Sequence, residues 1–421
     1  MTSALLLMGV ILALLLLRQP LLVILTAAVA FVHLAWGQGK LEYIVEDMWV
    51  ALDKDVILAI PMFILCGGVM TKGATAKRLI AIASAATAHL PGGLAVASVL
   101  SCGVFAAISG SSIVTMLAIG TVMLPALRQG GYSNRFSLGV VMAGGTLGIV
   151  IPPSVPLIIY GLVTETSITD LFIAGVGPGL LLLAVFAVYS MWANRHVPTT
   201  PFSWAALVGA LRHGIWALLM PVILLGGIYT GWFSATEAAA MGLLYSLVVE
   251  IFVHKQMKLR EFGEVMLEAS KLGGTFFPLL AAAMSLNLVL TEHRVPEALV
   301  TLVQAYIDSP LTFMLIVNAL LLVVGCFVTT GEAILILAPL LAPLALAFGY
   351  DKVLFGIIMI VNLEIGFLTP PVGLNLMVAM SAFKEKFGEL VMAALPWIAL
   401  MLVCLAIVAW QPWIAMTLVG R

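Results

Sequence analysis

The sequence is poor in charge: 9% of its 421 residues are Asp, Glu, Lys or Arg, against about 25% in an ordinary soluble domain. Hydrophobic residues make up 63%, where such a domain carries about 45 to 50%, so water cannot be the chain's main solvent. The formal net charge of -1 gives no electrostatic basis for binding nucleic acid. Cys66, Cys102, Cys326 and Cys404 stand far apart in apolar segments and form no CxxC pair, which removes the usual ligands of a metal or redox centre. His33, His89, His196, His213, His254 and His293 lie at the edges of apolar runs or in loops, with no HExxH-type pair. A membrane-embedded metalloenzyme therefore lacks its ligands, and neither an enzyme nor an organic cofactor is expected.

What is present is a series of apolar stretches from Ser3 to Trp413, divided by short polar turns. Each spans about 15 to 23 residues, enough to cross or deeply enter a bilayer. The first is followed by Arg18-Gln19-Pro20 where a cleaved signal peptide would need small residues, so it reads as a crossing. The expected fold is an all-α polytopic membrane protein.

The chain also repeats itself. Pro61 is matched by Pro278, and Pro152-Pro153, four residues after Gly148, by Pro370-Pro371, four residues after Gly366. These offsets, with a glycine-bearing turn in each half at Gly110 and Gly331, indicate two copies of one unit, residues 1–203 and 204–421. Five crossings are traced per copy: 3–17, 21–36, 56–71, 136–166 and 171–193, then 213–230, 234–253, 272–291, 351–383 and 388–410. A paired segment accompanies each set, at 92–127 and 310–348.

With the N-terminus outside, Arg18, Lys72, Lys77, Arg78, Arg128, Arg135, Arg195, Arg212, Lys255, Lys258, Arg260, Lys271, Lys384 and Lys386 face the cytoplasm. Only Lys40, Lys54, Arg294, Lys352 and Arg421 face outward, the bias expected of short loops. An odd number of crossings inverts the second repeat, as in many secondary transporters. Residues 37–55, with five acids, and 254–271, with four Lys or Arg, are amphipathic. They read as interfacial arm helices or as loops, and the sequence does not choose.

Residues 136–166 would make about 46 Å of helix against a hydrocarbon core of roughly 30 Å, so one straight span is excluded. The run from Gly144 to Pro153 and its twin, Gly366 to Pro371 followed by Gly373, supply residues that interrupt a helix. Unpaired backbone persists at membrane depth only beside protein or a polar cavity, so paired breaks point to a binding site and not to ordinary kinks. Freed carbonyls suit a hard cation such as sodium, and helix N-termini suit an anion. Opposite each break stands a polar interruption, Ala107 to Ser112 and Thr329 to Glu332. Both read as tips of paired segments; a re-entrant hairpin and two full crossings fit the charges equally.

Phe105-Ala106-Ala107-Ile108-Ser109-Gly110-Ser111-Ser112, Gly144-Gly145-Thr146-Leu147-Gly148 and Ile151-Pro152-Pro153-Ser154 resemble the large permease of TRAP (tripartite ATP-independent periplasmic) transporters. So do Thr230 to Ala238, Asn362-Leu363-Glu364-Ile365-Gly366 and Thr369 through Leu376, and the likeness covers essentially the whole chain. It implies a sodium-driven symporter of the elevator type in the bacterial inner membrane. Such a transporter takes a small organic anion, for example a C4-dicarboxylate or a sialic acid, from a soluble periplasmic binding protein. A small four-helix membrane subunit is implied as a separate chain, because this sequence starts at the first permease helix. Residues 92–166 and 310–383 would form the mobile transport part. One departure is that the second tip reads Thr329-Thr330-Gly331-Glu332, with its acid three positions later than is usual in the family.

Ser109, Ser111, Ser112, Gly145 and Gly148 are the expected ligands of one sodium ion, and Thr329, Thr330, Gly331, Gly366 and Thr369 of its inverted counterpart. Ser154, Asn362 and Asn375 are candidate donors to the substrate. Glu332 and Glu364, ionisable groups within apolar runs, are candidates for an ion pathway. Glu237 reads as a capping residue, and Trp36, Trp192, Trp232, Trp410 and Trp413 as interfacial anchors. A binding-protein-independent dicarboxylate symporter coupled to sodium or protons is the alternative within the same class.

Overall fold

The computed structural model describes residues 2–36 and 42–420; Lys40, Arg421 and the first part of the expected outer arm lie outside them. Among the described residues every regular element is helical, the form in which a lipid-facing segment satisfies its own amides. In chain order these are α1 (Thr2–Leu16), α2 (Leu21–Ala35), α3 (Glu42–Leu52), α4 (Ala59–Lys72), α5 (Thr75–Thr87), α6 (Gly93–Ser109), α7 (Ser112–Gln129), α8 (Asn134–Val150), α9 (Val155–Thr164) and α10 (Ile168–Ala193). The second half adds α11 (Trp204–Tyr229), α12 (Ala235–Leu247), α13 (Leu259–Glu292), α14 (Val295–Gln304), α15 (Pro310–Gly325), α16 (Thr330–Ala347), α17 (Lys352–Phe367), α18 (Leu374–Phe383), α19 (Phe387–Trp410) and α20 (Trp413–Met416). Nine helical stretches among the described residues are long and apolar enough to cross a membrane.

The helices pack as two groups. In one, α13 lies against α2, α3 and α4, and α12 against α4 and α11. In the other, α6 and α7 flank α8, α15 and α16 flank α17, and α10 and α19 pack on both α8 and α17. This second group is the drier: α17 is buried from Val353 to Phe367 and α8 from Ser137 to Val150. Trp397 of α19 fills the space between Phe186 and Tyr189, its ring centroid 5.2 and 5.0 Å from theirs. Ion pairs Arg128–Glu385 (2.5 Å) and Arg135–Glu389 (3.0 Å) join the two halves at the ends of these helices.

Two expectations change. The inner arm, 254–271, is not a separate helix: α13 runs unbroken for 34 residues through Lys271, about 51 Å at 1.5 Å per residue. Its boundary had been drawn where charge gives way to apolar residues, but a change of solvent does not interrupt backbone hydrogen bonds. In the first half the chain does stop, because α3 ends at Leu52 and a 3-10 turn, Asp55–Leu58, precedes α4. Two short helices, α5 and α14, also stand where the sequence reading placed only connections. Ser234 and Glu237 close a reciprocal cap on α12, with Ser234 N–H donating to Glu237 Oε2 at 2.8 Å and Glu237 N–H to Ser234 Oγ at 3.2 Å. Trp192, Trp232, Trp410 and Trp413 are exposed, whereas Trp36 is half-buried with its ring centroid 5.6 Å from that of His293.

Candidate functional site

In the first half the helix stops at Val150 because Pro152 and Pro153 bring no amide hydrogens. It restarts at Val155, where buried Ser154 accepts from Leu157 N–H at 3.4 Å. The interruption is therefore confined to residues 151–154, and the backbone stays helical through Gly144, Gly145 and Gly148, where the break had been expected to extend. Those glycines do something else. A Cβ on Gly145 would lie 2.6 Å from Met116 Cβ, and one on Gly148 would run into the Ser111 carbonyl oxygen and Thr115 Oγ1. They let the tip between α6 and α7 press onto α8.

That tip turns at Gly110, whose φ of +59° favours glycine. Its carbonyl accepts from Val155 N–H at 3.4 Å, tying the tip to the break. Ser109 Oγ and Thr115 Oγ1 lie 2.6 Å apart, and Ser111 caps α7 by accepting from Val114 N–H at 3.5 Å.

The second half reaches the same arrangement with different residues. Helix α17 ends at Phe367, Thr369 N–H closes the last turn on Gly366 O at 2.9 Å, and Thr369 Oγ donates to Ile365 O at 2.7 Å. Gly373, at φ +58°, starts α18 and donates its N–H to Cys326 O of the other tip at 3.1 Å. Gly366 again sits at a close approach, since a Cβ there would be 2.5 Å from the Gly325 carbonyl carbon. Thr329 and Glu332 cap α16 reciprocally, at 3.1 and 3.3 Å. The Glu332 carboxylate is thus already engaged at the positive end of a helix.

Both tips open on one cavity of about 420 Å³. Ser109, Gly110, Ser111 and Ser112 line it from the first half, and Thr329, Thr330, Gly331 and Glu332 from the second. Apolar walls come from Ile60 and Ile64 of α4, from Leu272, Phe276 and Leu279 of α13, and from Val155 and Ile159 of α9. The cavity therefore lies between the two helix groups. Its described lining holds no Lys, Arg or His, so the lining offers an anion only hydroxyls, amides and helix N-termini, and a cation only oxygens.

Behind the tips, Ser112 Oγ donates to Asn375 Oδ1 at 3.4 Å and Thr330 Oγ to Glu364 Oε1 at 3.3 Å. Asn375 Nδ2 and Glu364 Oε2 are buried without a hydrogen-bond partner. Asn362 turns away, donating to Asn318 O and Oδ1 at 3.1 and 2.5 Å. The structure thus brings together Ser109, Ser111, Ser112, Gly145 and Gly148. In the second half Thr330 meets Glu364 through a hydrogen bond and Thr369 closes on Gly366, while Gly145, Gly148, Ser154, Asn362, Glu364, Gly366, Thr369 and Asn375 all stand outside the cavity lining. Sequence reasoning missed Thr115, Asn318 and Phe276. Asn318 was detectable as a lone amide in an apolar run.

Helical, buried at its centre, and lining one cavity with two polar tips and with the helix ends that flank two breaks, the molecule has the build of a multi-pass membrane transport protein. The family described as "Tripartite ATP-independent periplasmic transporter, DctM component" matches residues 8–414, and the chain belongs to it. The C4-dicarboxylate TRAP transporter large permease protein DctM of Pseudomonas aeruginosa is 44% identical over 365 residues, 86% of each chain. The isethionate TRAP transporter permease protein DctMQ of Oleidesulfovibrio alaskensis is 38% identical over 92% of this chain and 61% of that longer protein. Among solved structures, the Alcanivorax borkumensis YdaH transporter has the same fold, with a TM-score of 0.60 over 88% of each chain at 14% identity.

Proposed function

We propose that this large permease subunit carries a small organic anion, a carboxylate, inward by sodium-driven symport on an elevator. The observation that carries the reading is the meeting of two tips and two breaks around a cavity without a basic side chain. A carboxylate there needs positive charge from helix N-termini and from co-bound sodium, because the lining supplies none. One sodium would use oxygens around Ser109, Ser111, Ser112, Gly145 and Gly148, the other those around Thr329, Thr330, Gly331, Gly366 and Thr369. Asn375, with its unpartnered amide nitrogen, is the best placed of the substrate candidates; Ser154 and Asn362 already hold protein partners. Glu332 and Glu364 belong to the ion pathway in this scheme. The relatives named for C4-dicarboxylate and isethionate transport support a small anionic cargo.

In the same reading the halves, 1–203 and 204–421, are inverted repeats, the N-terminus is periplasmic, and 92–166 with 310–383 slide as one part against the rest. A periplasmic binding protein delivers the cargo. A small four-helix subunit accompanies the permease as a separate chain, although the relative DctMQ has the two fused. Each charge moved inward gains about 2.3 kcal/mol per 100 mV, so two sodium ions suffice to concentrate a monoanion. Uptake of labelled succinate, N-acetylneuraminate and pyruvate into proteoliposomes holding the full complex tests this. Uptake is expected only with an inward sodium gradient and binding protein. Uptake indifferent to sodium ends the coupling claim, and uptake indifferent to the binding protein moves the chain to the binding-protein-independent class.

A further inference from the structure

We infer that Ser112, Thr330, Glu364 and Asn375 form a third cation position, shared by the two halves and taking sodium. The inference rests on the sodium-coupled reading above and adds to it a site that belongs to neither tip alone. Ser112 opens α7 in the first half, Thr330 opens α16 in the second, and Glu364 and Asn375 stand on either side of the second break. All four residues are buried, with exposures from 0 to 2%. Thr330 Oγ to Glu364 Oε1 is 3.3 Å and Ser112 Oγ to Asn375 Oδ1 is 3.4 Å, and the Ser112 hydroxyl also stands near the Glu364 carboxyl.

The oxygens thus lie within a few ångströms of one another, and the set is one carboxylate, two hydroxyls and one amide carbonyl, the hard donors that alkali and alkaline-earth cations prefer. Glu364 Oε2 has no protein partner and Glu364 makes no ion pair with a Lys, Arg or His among the described residues. An ionised carboxylate buried in this way needs a compensating positive charge, and without a cation it takes up a proton instead. A cation there would satisfy the orphaned oxygen and would be held only while both tips are seated. Asn375 then turns its carbonyl to the ion and leaves Nδ2, which also lacks a protein partner, as a donor for an oxygen of the cargo. One ion thereby reads both hairpins and the substrate.

The test is heat denaturation of the purified full chain in detergent, without substrate, across sodium chloride titrated against choline chloride at constant ionic strength. Wild type is expected to gain stability with sodium. Glu364→Gln, which keeps size and removes charge, is expected to need at least about tenfold more sodium for half its gain, the scale on which metal sites respond to altered ligation, and to be no less stable than wild type in choline alone. Asn375→Asp, which adds charge to the same cluster, is expected to need less sodium. An unchanged midpoint in Glu364→Gln overturns the third site while leaving the two tip sites standing. If Glu364→Gln does not fold, an unchanged or raised midpoint in Asn375→Asp does the same. A wild type that responds equally to sodium and choline ends the sodium reading as a whole.

Discussion

Removing the carboxylate of Glu250 should unlock the joint between α4 and α5. Glu250 lies in a π-helical turn, Val248–Val253, at the end of α12, and is fully buried. Its Oε2 accepts from Ala74 N–H at 2.9 Å, and its Oε1 accepts from Thr75 N–H at 3.1 Å and from Thr75 Oγ at 2.5 Å. It therefore caps α5 from 175 residues away, where Ala74 at the N-cap has no acceptor of its own. A Cβ on Gly73 would collide with the same carboxylate. Each hydrogen bond to a charged group contributes about 1.5 to 3 kcal/mol, and stripping one partner from a buried charged cluster costs about 3 to 5 kcal/mol in all, since the bonds are not additive. Glu250→Ala is thus expected to lose about 3 to 5 kcal/mol of unfolding free energy. Glu250→Gln keeps an oxygen for Thr75 but turns an NH2 towards Ala74 N–H, and should lose about 1 to 3 kcal/mol. Reversible unfolding in mixed micelles, with Thr75→Ala completing a double-mutant cycle, measures both. A Glu250→Ala protein within about 0.5 kcal/mol of wild type, the scale of an ordinary surface change, would refute the reasoning.

His254 Nδ1 lies 3.3 Å from Glu250 Oε2. Burial lowers its pKa from the ordinary 6.5, against the pull of Glu250 and with help from Arg78. The folded state therefore favours neutral imidazole, and this contribution is present above 6.5 and lost as pH falls towards the lowered value. Stability measured from about pH 7.5 to 5 should decline through that window, and less steeply in His254→Asn. Gly148→Ala and Gly366→Ala each push a Cβ into backbone of a neighbouring segment and should lose about 1 to 3 kcal/mol or more. Exposed Gly263 in α13 has nothing within 4 Å, so Gly263→Ala should instead gain up to about 1 kcal/mol in the same assay.

The parts of the site that depend on local chemistry were legible in the sequence. Pro152-Pro153 and Pro370-Pro371 cannot continue a helix, so the existence of two breaks followed from the residues alone. Their extent did not follow. Glycine both loosens a helix and lets another chain approach it, and only packing distinguishes the two uses at Gly145, Gly148 and Gly366. Helices α5 and α14 escaped because they are short and amphipathic and sit between longer apolar runs. The boundary of α13 was misplaced because charge pattern reports solvent and says little about backbone continuity. The Glu250 cap was invisible for a third reason: it joins residues 175 apart, and no local pattern encodes such a pairing.

The unequal arms set a mechanical bias. Helix α13 is a single beam that leans on α2, α3, α4 and α16, whereas α3 and α4 meet at a jointed corner formed by the turn Asp55–Leu58. A rod transmits a push along its length without storing it, while a joint absorbs rotation locally. If one helix group rocks against the other, the bending concentrates at that corner and leaves the beam straight, so the two arms would share the load unequally.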